Sequence, residues 1–309
     1  MSNVAKPWPS YRVLDDLVDK ASGQFIYPAT VLKFVGDPNY RPTDRLDMIT
    51  SIPVISSSAL ATKPLAALDQ LYSQILSMSS DKQRTLDILS ALIAIQVTTS
   101  RLYVVGRTFD EYLLSIAEKL LGLRPGDGPQ ALRLIHSLLH ITGRSMSDVA
   151  DDISPLEGHY PGDEVSFHHK SFIDYLLDPS RSLEYCVDME EMNTRLALAC
   201  LVTMQTFSLQ PTSRFACSMF SFSFTYNILI PHAKKATWCY STLCWTHLVT
   251  ESGIPQRKLL QALMSFDLFA CYLNTLGPKE MGSECHDTIK RVAFPSRPTT
   301  IFSKIAEKM

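Results

Sequence analysis

Val165-Ser-Phe-His-His-Lys-Ser-Phe-Ile-Asp-Tyr-Leu-Leu-Asp178 decides the fold, because its repeat changes partway along. Val165, Phe167 and His169 alternate with Ser166 and His168, the two-residue period of a short strand. From Ser171 the period becomes helical, with Phe172, Tyr175 and Leu176 on one face. Asp174 follows Ser171 by three residues, close to the spacing of a capping box, so Ser171 is expected to cap the helix. Just upstream, residues 141–164 are rich in Gly, Ser, Asp and Pro and read as a hairpin or wing loop.

Before that hairpin the chain is helical. Val13, Leu14, Leu17 and Val18, then Phe25, Ile26, Val31, Leu32 and Val35, predict two helices with a break near Gly23 or Pro28. Gly36-Asp-Pro-Asn-Tyr-Arg-Pro-Thr43 is a loop, and Arg45 to Ile52 predicts a further short helix. Ser56-Ser-Ser-Ala59 reads as a linker. Four helices follow. They are carried by Leu65, Leu68, Leu71, Tyr72, Ile75 and Leu76; by Leu86, Leu89, Leu92 and Ile93; by Phe109 to Leu121 behind an expected Thr108 cap; and by Leu132, Ile135, Leu138 and Leu139. Helices that lead into hairpin strands are the order of a winged helix. From Met189 the helical pattern resumes through Leu196, Leu198, Leu201 and Met204 and continues in patches to about Leu276. The last thirty residues, with Pro278, Pro295 and Pro298, read as irregular. The expected fold class is mainly α with a short β-hairpin.

Composition narrows the function. The chain has 309 residues, 46% hydrophobic and 19% charged, ordinary for a soluble globular protein of two or three domains. Its net charge of -2, with no Lys/Arg run longer than two, argues against a nucleic-acid partner. Seven cysteines, an odd number without C-x-x-C, read as buried free thiols in a reducing compartment. The N-terminus has no apolar leader run, and Phe215–Ile230 is interrupted by five polar residues. No membrane partner and a cytoplasmic location are expected.

Single residues offer few sites. His169, at a strand end, is placed either to donate a hydrogen bond to a phosphate oxygen or to serve as a half-buried residue supporting the strand-to-helix turn. His136 and His140 stand four apart on one predicted helix face, a spacing that can hold a metal, but no third ligand is nearby, so surface or interface histidines are expected. Cys239, Cys244 and His247 form C-x-x-x-x-C-x-x-H, in which a helix would rotate Cys239 away, so core thiols are favoured over a zinc site. Asp151, Asp152 and Asp188 have no partner at a defined spacing and are expected to be solvated. Trp238 and Trp245, seven apart, have helical core spacing.

Several segments together resemble the C-terminal part of fungal NACHT-domain proteins, a branch of the STAND signalling NTPases. They are Lys20-Ala-Ser-Gly-Gln-Phe-Ile-Tyr-Pro-Ala-Thr-Val-Leu-Lys-Phe-Val35, Arg41-Pro-Thr-Asp-Arg-Leu46, Pro64-Leu-Ala-Ala-Leu-Asp-Gln-Leu-Tyr-Ser-Gln-Ile-Leu76, Leu132-Arg-Leu-Ile-His-Ser-Leu-Leu139, His169-Lys-Ser-Phe-Ile-Asp-Tyr-Leu176 and Trp245-Thr-His-Leu248. The resemblance covers roughly residues 8–250. It implies a helical lid over 8–80, a winged helix over 81–185 and a second helical domain over 186–309. In the family, the His of H-x-[ST]-F-x-[DE]-[FY] reaches the β-phosphate of ADP on the NTPase core. His169 matches it, followed by Ser171, Phe172, Asp174 and Tyr175. Phe25 stands where the wider group has a Pro that contacts the base.

No G-x-x-x-x-G-K-[ST] segment occurs in the chain, so nothing in it cradles the β- and γ-phosphates. The resemblance therefore implies a non-catalytic regulatory or interaction fragment, not an enzyme. It would bind ADP or ATP only through His169 and only where an NTPase core is joined or docked. The expected partner is a protein, either an intact NACHT NTPase or a second copy of the chain. The alternatives are the back half of a longer ATP/ADP-switched NTPase, a winged-helix nucleic-acid binder, and a zinc hydrolase using Cys244 and His247.

Overall fold

Helix α1 (Tyr11–Ala21) starts where the Ser10 hydroxyl accepts the Val13 N–H at 3.4 Å, and it stops at Ser22 and Gly23, whose φ values are 48° and 78°. The break therefore falls at Gly23. Pro28 lies inside the first turn of α2 (Ile26–Val35), where a missing N–H costs no helical bond. The computed structural model describes residues 8–52, 65–101, 112–142, 164–208, 232–253 and 257–266. Among them, helix accounts for 76% in twelve α-helices, with one antiparallel two-stranded hairpin. The expected mainly α fold with a short hairpin is what is found. The Ser56–Ala59 linker, the Thr108 cap, Asp151, Asp152, the 215–230 stretch and the last thirty residues lie outside the described residues.

By their contacts the residues group into two compact units. The first takes Met1–Leu86, Pro129–Ile141 and Val165–Val187; the second takes Asp87–Gly128, Thr142–Glu164 and Asp188–Met309.

In the first unit, α3 (Pro42–Thr50) opens on a proline at its first position, where the fixed φ suits a helix start. Its C-terminal end is closed from outside. The buried Lys20 ammonium of α1 donates to the carbonyls of Ile49 at 3.2 Å and Ile52 at 2.7 Å. A cation there satisfies orphan carbonyls and suits the negative end of the helix dipole. Burial lowers the Lys20 pKa from its ordinary value, against the opposing pull of Asp16. Arg45 of α3 is 2% exposed, with its guanidinium 4.1 Å from the centre of the Phe34 ring and 3.8 Å from that of Tyr40. Asp37 lies 3.5 Å away and supplies the counter-charge. α4 (Ala66–Ser77) buries Leu68, Leu71, Tyr72, Ile75 and Leu76, the stripe its spacing predicts.

α5 (Lys82–Arg101) is long, and from Ile88 to Ile95 its side chains are all buried. In the second unit, α6 (Leu113–Leu120) places Glu118 so that its carboxylate accepts the N–H groups of Gly126 at 2.9 Å and Gly128 at 2.8 Å, at the start of α7 (Asp127–Leu132). A Cβ on Gly128 would stand 2.8 Å from a Leu114 methyl and 2.9 Å from that same carboxylate oxygen, so the close approach needs glycine.

The Leu132–Leu139 segment departs from the helix predicted for it. After α7 the chain tightens into a single 3-10 turn, Arg133–Ile135, and by Leu139 it is in strand β1 (Leu139–Thr142). Apolar residues three apart satisfy a 3-10 turn as well as an α-helix, so the spacing alone misleads. β2 (Glu164–Phe167) pairs with β1, then α8 (Lys170–Leu177), α9 (Pro179–Ser182) and a 3-10 turn over Leu183–Tyr185 close the first unit. α10 (Met189–Ser208), α11 (His232–Glu251) and α12 (Arg257–Ser265) complete the second. Asp188, expected to be solvated, accepts the Glu191 N–H at 3.0 Å and so caps α10. No described helix is long and apolar enough to cross a membrane.

Candidate functional site around His169

The strand-to-helix junction read first in the sequence is built differently from expectation. His169, not Ser171, is the N-cap of α8: its Nδ1 accepts the Ser171 N–H at 3.1 Å. Ser171 sits inside the first turn with its hydroxyl 2.7 Å from the same Nδ1. Asp174 is exposed, and no reciprocal capping box forms. The strand alternation also ends early. Val165 is buried, but His168 turns partly inward, with Nε2 3.2 Å from the His136 carbonyl, while His169 is exposed.

Because a backbone N–H only donates, Nδ1 of His169 must accept, and the proton of the neutral ring resides on Nε2. Among the described residues nothing engages Nε2. The cap thus fixes both the tautomer and the direction of one exposed N–H donor.

Ser171 carries the network on into α4. Its hydroxyl lies 2.7 Å from the Tyr72 hydroxyl, and the hydroxyls of the next residue on α4, Ser73, and of Tyr175, one turn further along α8, also meet at 2.7 Å. Rings fill the space beneath: Tyr72 is 5.1 Å from Phe172 and 5.4 Å from Tyr175, centre to centre. Burial raises the pKa of Tyr72, and pushes that of Tyr175 to about 12. The end of this seam is an ion pair. Arg181 of α9 donates through Nε at 3.1 Å and through a terminal nitrogen at 2.6 Å to the two oxygens of Asp69. This two-pronged geometry is the strong form of a charged hydrogen bond. It raises the Arg181 pKa, with burial opposing.

The other sequence candidates fall apart or into the core. His136 follows the 3-10 turn, and His140 lies exposed in β1, so the two share no helix face. His140 instead lies with its ring 6.0 Å from that of His168, whose pKa is lowered, mainly by burial. Among the described residues no group of three or more His, Cys, Asp or Glu is placed to hold a metal ion. Cys244 is buried in α11, as core spacing predicts, and so are Trp238 and Trp245; the side chain of Cys239 is outside the description. Phe25 is 90% exposed at the start of α2. Sequence reasoning missed Tyr72, Ser73, Asp69 and Arg181, since residues about a hundred positions apart leave no local signal of pairing.

Compared with protein-family models, with curated proteins and with solved structures, the chain matches none.

Proposed function

We propose that this chain is a non-catalytic regulatory fragment of a NACHT-type switch and acts through protein contacts. The observation that carries the reading is an uncovered apolar face on its first two helices. Tyr11, Leu14 and Val18 recur three and four residues apart on α1, and all three are exposed, Val18 at 69%. Phe25 and Leu32 add large exposed side chains on α2. Apolar surface of this kind on a folded protein marks a contact site. The partner is an intact NACHT NTPase core or a second copy of the chain, and the balanced charge disfavours duplex DNA.

Two experiments test this. Sedimentation of the purified chain, alone and with an ADP-loaded NACHT NTPase, is expected to show association that Val18→Asp weakens at least tenfold. If Val18→Asp leaves every association unchanged, the reading fails. ATP turnover by the chain alone is expected to be absent; turnover abolished by His169→Ala would overturn the non-catalytic assignment.

The second reading, the back half of a longer ATP/ADP-switched NTPase, is favoured by one feature. The outward Nε2–H of His169 is a fixed donor suited to a phosphate oxygen. An in-frame upstream exon encoding G-x-x-x-x-G-K-[ST] would establish it, and a transcript starting at Met1 would remove it.

A further inference from the structure

A cleft of about 700 Å³ lies wholly within the first unit, between α4 and the α9 turn, with Ser51 and Ile52 at one edge. Its volume falls within the roughly 300–1,000 Å³ of typical ligand sites. The lining shows what it suits. Its charges are already matched: Asp69 holds Arg181 at 2.6 Å, and Glu184 lies 3.5 Å from Lys82. An entering phosphate or free cation would meet no unbalanced counter-charge. The serine protons are committed as well. Ser51 donates to the Met48 carbonyl, Ser73 to Asp69, Ser77 to Gln74 and Ser182 to Asp178, all within 3.0 Å.

What remains is a pair of carboxamides. Gln70 and Gln74 line the cleft and are half-buried, and their side-chain carboxamides make no hydrogen bond among the described residues. They stand one helical turn apart on α4, which sets their Cβ atoms about 5–6 Å from each other. A carboxamide both donates and accepts, as a peptide group does. Along an extended polypeptide, amides facing the same side recur every second residue, about 6.7 Å. The two spacings agree within the reach of a flexible Gln side chain.

The lip of the cleft adds an apolar contact. Leu183 is 74% exposed and held at φ 51°, ψ -112°, a conformation that a branched side chain rarely adopts. Such strain persists only where the surrounding structure enforces it, and here it holds an apolar side chain in solvent beside the two carboxamides.

We propose that this cleft binds a segment of extended, uncharged polypeptide through its main chain, with Gln70 and Gln74 pairing to two same-side amides and Leu183 covering the side chain between them. The site is separate from the α1 and α2 face, so either assignment stands if the other fails.

The test uses the full chain and a displayed library of random twelve-residue peptides. Selected sequences are resynthesised with blocked ends and measured by fluorescence polarisation. Gln70→Ala with Gln74→Ala is expected to weaken binding at least tenfold. Because neither carboxamide makes a hydrogen bond among the described residues, an unchanged melting temperature is expected to show that the variant is folded. Leu183→Gly, which relieves the backbone, is expected to weaken binding several-fold without loss of stability. N-methylation stepped along the peptide is expected to abolish binding at alternate residues only. Failure to select any peptide, binding indifferent to the Gln substitutions, or a methylation pattern without a two-residue period each overturns the proposal.

Discussion

The two units hold themselves together by different means. In the first, α4 is tied to α8 and α9 by directional polar pairs: Tyr72 to Ser171, Ser73 to Tyr175 and Asp69 to Arg181. In the second, α10 packs on α11, and Leu196, Cys200, Leu201, Trp245 and Leu248 of these helices are buried apolar or weakly polar side chains. Hydrogen-bonded pairs contribute modest net stability but fix one register, because a slip strands several donors at once. Apolar packing contributes more per side chain and tolerates small shifts. The unit that carries the junction helix is thus the one built for definite geometry.

This contrast is breakable. The largest expected effect lies in the apolar unit: Leu248→Ala or Leu196→Ala should cost about 2–5 kcal/mol, read as a drop in the denaturation midpoint. A value under about 1 kcal/mol would mean that the α10–α11 core is not close-packed. Next comes Asp69→Asn in the polar unit, which removes the counter-charge of a half-buried guanidinium; about 2–3 kcal/mol is expected from the same denaturant titration. If Asp69→Asn is neutral, the ion pair does not hold α9 to α4.

The third prediction concerns alkaline pH. Burial pushes Tyr27 and Tyr175 of the first unit to about 12 from an ordinary 10.0. Between those values the folded protein keeps protons that the unfolded chain releases, so stability is intact below pH 10 and falls as pH rises toward 12. In denaturation series across that window, Tyr175→Phe should show a shallower slope, by up to one proton. An unchanged slope would place the Tyr175 hydroxyl in water. Smaller still, Tyr72→Phe should cost about 1 kcal/mol for one lost hydrogen bond, with His169 still capping α8. The smallest effect is Lys82→Ala. Lys82 and Glu184 are both exposed, so the melting temperature should not move measurably.

Much of this architecture was readable from periodicity. The α4 stripe and the core tryptophans of α11 follow directly from apolar spacing, whereas Leu86, Leu89, Leu92 and Ile93 predict a single stripe on α5 and the structure buries every side chain from Ile88 to Ile95. Two misreadings have clear causes. Leu132 to Leu139 mimics a helix because three-residue apolar spacing fits a 3-10 turn equally well, and the chain needs that tight turn to enter β1. Ser171 was expected to cap α8 because Ser is a preferred cap, whereas an imidazole nitrogen one position before the helix does the same work here. The site was less legible. His169 was visible, but its tie to Tyr72, the Asp69–Arg181 clasp and the two idle carboxamides exist only once segments distant in sequence are brought together.

The discontinuous make-up of the first unit bears on how the protein is made. Tyr72 and its partner Ser171 are separated by 99 residues. At a synthesis rate of about 5–20 residues per second, α4 leaves the ribosome roughly 5–20 s before the helix that covers its aromatic face. For that interval the nascent chain displays Tyr72 without Phe172 and Tyr175, the rings it finally packs against. Any slowing of translation between the two helices lengthens the exposure, so yield in a cell should depend on holding chaperones more than the stability of the finished fold would suggest.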